Sequence, residues 1–166
     1  MHKLVFATAT WARTAEEKAV ILESINLLAS FSASIVIGDR AGSSFPLREE
    51  LEKIKGVTVS EGESFDEQRR IAYISAANIG KNIFWLESDK KYFIQNILGE
   101  IINYDFDGKI IVPFPDEDSF KNYPSFQIII EKAINEVAGV YFPFPVHLTY
   151  GPMCFPSELV RFVKND

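Results

Sequence analysis

The chain has 166 residues, 47% hydrophobic and 13% aromatic with 14 phenylalanines, which excludes a disordered chain and supplies the core of one ordinary domain, residues 1–166. A formal net charge of −6, with Lys and Arg scattered and no basic stripe, excludes a nucleic-acid partner held by bulk electrostatics and leaves any anionic ligand to local groups. Cys154 is the only cysteine, no run approaches the ~18 apolar residues of a membrane span, and Met1–Ala7 lacks the layout of a signal peptide; a cytoplasmic protein without a transmembrane segment is expected.

Leu4 to Ala9 reads as a first apolar strand. Thr14-Ala15-Glu16-Glu17 has the form of a capping box and opens a helix with Ile21, Ile25 and Leu28 on one face. Ser34 to Gly38 is a short β-branched strand, and Asp39 to Ser44 is a loop by composition. Pro46 starts a second helix, whose Leu47, Leu51 and Ile54 align before Gly56 stops it. Val57 to Val59 is a third, very short strand. Ser64-Phe65-Asp66-Glu67 is a second capping box, and its helix carries Ile71, Ile74, Ala77 and a terminal Gly80. The strand that follows ends at Glu87. From about Lys90, Ile94, Ile97, Leu98 and Ile101 stand at helical spacing, and Lys109 to Val112 returns to strand character. Pro124 sets up a helix with Phe126, Ile129, Ile130, Ala133 and Val137 on one stripe. Val140 to Pro156, aromatic and Pro-rich, reads as irregular strand and loop before a short helix ending near Val163.

This alternation, without repeat or linker, predicts an α/β fold: a doubly wound, mostly parallel sheet with helices on both faces. Right-handed crossovers then bring the strand ends, with Asp39 and Glu87-Ser88-Asp89, to a common edge.

The densest chemical signal is the apolar run Ile83–Leu86 followed by Glu87-Ser88-Asp89. Acids are expelled from a strand buried on both faces, so these two fall at its carboxyl end, where open α/β sheets bind ligands. Residues two apart point the same way, which suits Mn²⁺ or Mg²⁺ held by one or two carboxylates while substrate phosphates complete the shell. The alternative is that Ser88 caps the next helix and Asp89 sits against its dipole.

Other segments carry two readings as well. In Thr8-Ala9-Thr10-Trp11-Ala12-Arg13-Thr14, Trp11 or Arg13 can stack on or pair with a nucleotide, or Trp11 can simply pack over the sheet edge. In Gly38-Asp39-Arg40-Ala41-Gly42-Ser43-Ser44, Asp39 can accept hydrogen bonds from a ribose or base, or the segment is a turn with Ser44 as a cap. One of Arg69 and Arg70 can reach a diphosphate, or both are solvated. His147 lacks partners for a histidine metal cluster, and Cys154 and Ser157 lack a nucleophile's context. Neither a GxGxxG nor a P-loop motif occurs.

Taken in order, these elements resemble the nucleotide-sugar-dependent glycosyltransferases of the GT-A fold, as a short and divergent member of that superfamily. Thr8 to Arg13 is similar to the family's first-strand loop, and Gly38 to Ser43 to its acidic turn after strand two, with one acid missing. Asp66 to Ala72 resembles its Arg-bearing helix, and Trp85-Leu86-Glu87-Ser88-Asp89 its Asp-x-Asp metal motif, with Glu87 in place of the first Asp. The likeness covers roughly residues 3 to 113. Gly151 to Leu159 is similar to a later Gly-rich strand and helix start, with Pro156 and Ser157 at usual Arg positions.

The resemblance implies a nucleotide-binding half, residues 1–113, and a reduced acceptor-side half, residues 114–166. It implies a UDP- or GDP-linked sugar donor, with Asp39 holding the nucleoside, Thr8 and Arg13 framing base or ribose, and Arg69 or Arg70 balancing the diphosphate. Glu87 and Asp89 would serve Mn²⁺ or Mg²⁺, and Asp116 and Asp118 are the acids left as candidate bases beside the alternative of a solvated loop. A second reading is a degenerate domain of the same fold that binds nucleotide, sugar or a protein partner without catalysis. A nucleotidyltransferase stands last, because the Gly-rich basic loop that would hold a triphosphate is absent.

Overall fold

A computed structural model describes residues 4–31, 34–106, 108–112, 125–140 and 151–162. Among the described residues its sheet has five strands in the order β3-β2-β1-β4-β5, formed by β1 (Leu4–Thr10), β2 (Ser34–Arg40), β3 (Val57–Gly62), β4 (Asn82–Trp85) and β5 (Met153–Pro156). The first four are parallel, and β5 closes the β4 edge antiparallel with Met153 opposite Trp85. The expected doubly wound, mostly parallel α/β architecture is the one observed.

Alternation along the strands builds two cores. Phe6, Ile35, Ile37 and Phe84 face α1 (Ala15–Ala29), α2 (Arg48–Leu51), α4 (Lys91–Asn96) and α5 (Leu98–Ile101), which contribute Ile25, Leu28, Leu51, Ile94 and Leu98. Val5, Ala7, Val36, Ile83 and Trp85 face α3 (Phe65–Ala77) and the 3₁₀ helix Ser157–Phe162, which contribute Ala72, Tyr73, Ala76 and Val160. Each fully buried side chain of this size contributes about 1.5–3 kcal/mol.

The helix starts follow the sequence closely. Thr14 caps α1 and Ser64 caps α3, each accepting at 3.1 Å from the backbone N–H three residues on. The reciprocal acids reach one residue further back than a capping box requires, Glu17 to the Arg13 N–H and Glu67 to the Glu63 N–H.

Several expectations are corrected. β2 and β3 run on to Arg40 and Gly62, because parallel pairing continues through Asp39↔Glu61 after the apolar residues end; Asp39 therefore lies in the strand and not in a turn. α2 is a single turn, and Gly56 stops the segment at φ 87°. α3 buries Gln68, Ala72, Tyr73 and Ala76, with Ile74 and Ala77 half-buried against the same core and Ile71 half-exposed, and Gly38 and Gly62 of the sheet admit its first turn. The helix after Glu87 breaks at Ile97 into α4 and α5. At Lys109–Val112 only the bridge Ile111↔Cys154 forms. In α6 (Ser125–Gly139) the stripe Phe126, Ile129, Ile130 and Val137 forms but is exposed, since periodicity marks an apolar face without specifying what covers it.

Candidate functional site

The chain order reverses at β1: β2 and β3 are laid on one side of it, and β4 on the other. Such a switch parts the connecting helices at the carboxyl ends of the strands and leaves a crevice. Here a cleft of about 300 Å³ opens between the ends of β1 and β4, walled by the first turns of α1 and α3. Ala9, Thr10 and Trp11 come from β1 and its loop, Glu17 and Val20 from α1, Phe65 and Gln68 from α3, and Glu87, Ser88 and Asp89 from the end of β4.

Trp11 stands 55% exposed at the mouth, with the guanidinium carbons of Arg13 and Arg40 at 5.6 and 5.7 Å from its ring. An indole so placed can receive a planar ligand. Phe65, the first residue of α3, is 54% exposed on the same cleft. Arg40 also donates to the Glu63 carbonyl.

Beneath the mouth, buried polar groups tie three elements together. The Thr10 hydroxyl donates to Asp39 Oδ1 at 2.6 Å, and Gln68 Nε2 donates to the Thr10 carbonyl at 2.8 Å. Asp39 is only 2% exposed, and burial pushes its carboxyl above the usual range. The Thr10 hydroxyl and the Arg40 and Leu47 backbone N–H groups oppose that shift, while the Glu61 charge adds to it. Gln68 reaches this position because β2 and β3 carry no side chain beneath it: a Cβ on Gly38 would lie 2.7 and 2.8 Å from its backbone C and Cα. Sequence reasoning missed Gln68; two glycines in adjacent strands facing the following helix were the available signal.

At the end of β4, Glu87 continues the alternation of Ile83 and Trp85 toward α3. The Arg69 guanidinium lies 5.4 Å from the Trp85 ring centroid, 5.5 Å from Phe65 and 5.9 Å from Tyr73. Its charge and that of Lys90 favour ionised Glu87, yet burial dominates and raises the carboxyl, helped by the nearby charge of Asp89. Extending the β4–β5 register puts Gly151 opposite Glu87, and a Cβ on Gly151 would overlap the carboxylate. A side chain at position 151 would require the Glu87 carboxylate to move. Glu87 Oε2 is buried and accepts no hydrogen bond from the described residues. Ser88 does not cap the next helix, whose N-cap is Lys90.

A buried acceptor oxygen without a donor, a glycine cradle around it and a second, exposed carboxylate on the same cleft fit a hard divalent cation. Among the described residues no group of three or more His, Cys, Asp or Glu side chains converges. A cation held here would take its other oxygens from ligand or water.

The structure thus brings Arg13, Glu87 and Asp89 to one cleft, with Arg69 charging the wall beside Glu87. Asp39 lies beneath the wall, behind Thr10. Thr8 is buried within β1, its hydroxyl donating to the Ala9 carbonyl at 3.3 Å, and Arg70 is exposed on α3. Asp116, Glu117, Asp118 and His147 lie outside the described residues. A wider hollow of about 790 Å³ lies at the opposite edge of the sheet, between α1 and the start of β3. Its one acid, Glu50, is paired with Lys18 at 2.5 Å, so it offers no carboxylate pair.

No protein-family model matches the chain, and no curated protein sequence matches it. Solved structures do. Glucosyl-3-phosphoglycerate synthase from Mycobacterium tuberculosis, in complex with uridine diphosphate, superposes with a TM-score of 0.59 at 13% identity, over 95% of this chain and 58% of that one. The fold is of the GT-A type. The same synthase with Mn²⁺, UDP-glucose and glycerol 3-phosphate gives 0.61 at 10% identity over the same shares. S. aureus TarS 1–349 in complex with UDP gives 0.53 at 13% identity, over 97% of this chain and 48% of that one. The chain therefore spans about half the length of the proteins it resembles, and at these identities the likeness is one of fold. Among the described residues no helix is long and apolar enough to cross a membrane.

Proposed function

We propose that the cleft between β1 and β4 binds a nucleoside diphosphate sugar together with Mn²⁺ or Mg²⁺, and that the chain transfers the sugar to an acceptor hydroxyl. The observation that carries this reading is the pair Glu87 and Asp89 at the topological switch, with one buried carboxylate oxygen lacking a donor. The solved structures of the same fold named above hold UDP, or Mn²⁺ with UDP-glucose, which favours uridine over guanosine as the probe.

In this reading Trp11 offers its exposed face to the base, and Arg13 supplies a planar pair of donors for a phosphate. Asp39, Thr10 and Gln68 hold the end of β1 rigid beneath the ligand. Glu87 and Asp89 hold the cation, and Arg69 fixes the charge balance around Glu87. When bound, the cation would stabilise the negative charge that grows on the departing diphosphate as the anomeric bond breaks. The acceptor hydroxyl passes its proton to a carboxylate, for which Asp116 and Asp118 are the sequence candidates. Thr8 and Arg70 have no role in this reading, one being inside β1 and the other solvated.

Calorimetric titration with UDP, with and without Mn²⁺, tests the site. Metal-dependent binding is expected, and Asp89→Ala should weaken it at least ~10-fold, the loss of one charged ligand oxygen. Equal metal-dependent affinity in the variant rejects the assignment. The rival is a binding-only domain of the same fold. Metal-dependent release of UDP from UDP-glucose by the wild-type chain counts against that rival.

A further inference from the structure

The fork of Arg13 that faces the cleft is already filled. Glu17, in the first turn of α1, accepts from the Arg13 backbone N–H at 2.7 Å and from Nε at 3.2 Å through Oε2, and from Nη2 at 2.6 Å through Oε1. Two carboxylate oxygens against Nε and Nη2 make the bidentate pairing that a guanidinium offers equally to a phosphate. Both residues line the cleft beside Trp11 and Asp89. An arginine bonded this way cannot give those two donors to a ligand. The pair is open to water, with 65% of the Arg13 side chain and 34% of the Glu17 side chain exposed, so the bond can exchange. Pairs this exposed shift an equilibrium by at most about fivefold.

We propose that Glu17 is an internal competitor for the anionic part of the ligand: it occupies the Arg13 fork in the free protein, and a phosphate must displace it to recruit Arg13. The inference rests on the reading of this cleft as a nucleoside diphosphate site. It goes further by naming the residue that lowers affinity for phosphorylated ligands while leaving an uncharged nucleoside untouched. Glu17 keeps a second duty, accepting from the Arg13 backbone N–H, which a glutamine carbonyl can also perform.

The test is a calorimetric double-mutant cycle on the full chain with Mn²⁺, using UDP and uridine as probes. Glu17→Gln should tighten UDP about two- to fivefold and leave uridine unchanged. In the Arg13→Ala background that gain should shrink to the small effect of removing one negative charge. Thermal melting checks that the start of α1 is intact, and Glu17→Ala repeats the measurement should Glu17→Gln melt lower. The proposal is overturned if UDP binds Glu17→Gln no better than wild type, if uridine gains equally, or if the gain persists in full without Arg13. Absence of UDP binding by the wild-type chain would reject the nucleotide site itself, and this inference with it, whereas wild-type binding that Glu17→Gln does not improve rejects only the competitor.

Discussion

Burial at the carboxyl end of β4 strips the Glu87 carboxyl of water and raises it above the ordinary range, and its own backbone N–H, Lys90 and Arg69 offset this only in part. Because the folded-state value is the higher one, the folded chain binds this proton more tightly than the unfolded chain does. Stability from this group is thus greatest at low pH, declines as pH rises from the ordinary carboxylate range through the raised folded value, and stays lower above it. Glu87→Gln removes the decline while keeping the shape that Gly151 accommodates. Thermal melting at pH 7 should show the variant to be the more stable of the two. Below about pH 4, where the carboxyl is protonated in both states, the difference should vanish. A variant that melts lower at pH 7 would mean that the neighbours already compensate the charge. The place of Glu87 and Asp89 at the carboxyl end of β4 was legible in the sequence because acids directly after a buried strand conflict with their surroundings. Gln68 and Gly151 were not, since each acquires its role from a partner distant in sequence: the Thr10 carbonyl, 58 residues away, for Gln68, and the facing strand end for Gly151.

At the level of elements, apolar runs located the strands but stopped short of their ends, because hydrogen bonding between parallel strands continues wherever neighbours are in register, whatever the side chains. That is why Asp39 belongs to β2 and sits opposite both Thr10 and Glu61. The caps at Thr14 and Ser64 were local and therefore readable. The buried face of α3 was not, because it is chosen by the absence of side chains on β2 and β3, where Gly38 and Gly62 admit the helix backbone around Gln68. This contact predicts a large cost for a single methyl group. In Gly38→Ala the new Cβ meets backbone atoms that cannot rotate aside, so urea unfolding should show a loss of about 3 kcal/mol, the upper end for overpacking. Gly42→Ala, at φ 68° with nothing within 4 Å of the added Cβ, should lose only the ~1 kcal/mol of the left-handed backbone. Equal losses in the two variants would refute close packing of α3 as the determinant of the site's floor.

For the whole molecule, the question is which edge of the sheet carries the function, since the wider hollow lies at the amino ends of the strands and the acid pair at the carboxyl ends. Size favours the first and chemistry the second. The topology decides between them: the chain order switches at β1, so only the carboxyl edge has a crevice between helices that leave toward opposite faces of the sheet. A ligand that binds only the folded chain stabilises it by RT ln(1 + [L]/Kd), about 2.7 kcal/mol at a hundredfold excess over Kd. For a chain of this length that corresponds to a rise of roughly 5–10 °C in melting temperature. UDP with Mn²⁺ should therefore raise the melting temperature of the wild-type chain by that amount. Lys53→Ala, in the hollow at the amino edge, should keep the full rise, and Asp89→Ala should lose most of it. The reverse pattern, with the rise lost in Lys53→Ala and kept in Asp89→Ala, would move the ligand to the far edge and separate this chain's binding chemistry from the strand ends that its fold presents.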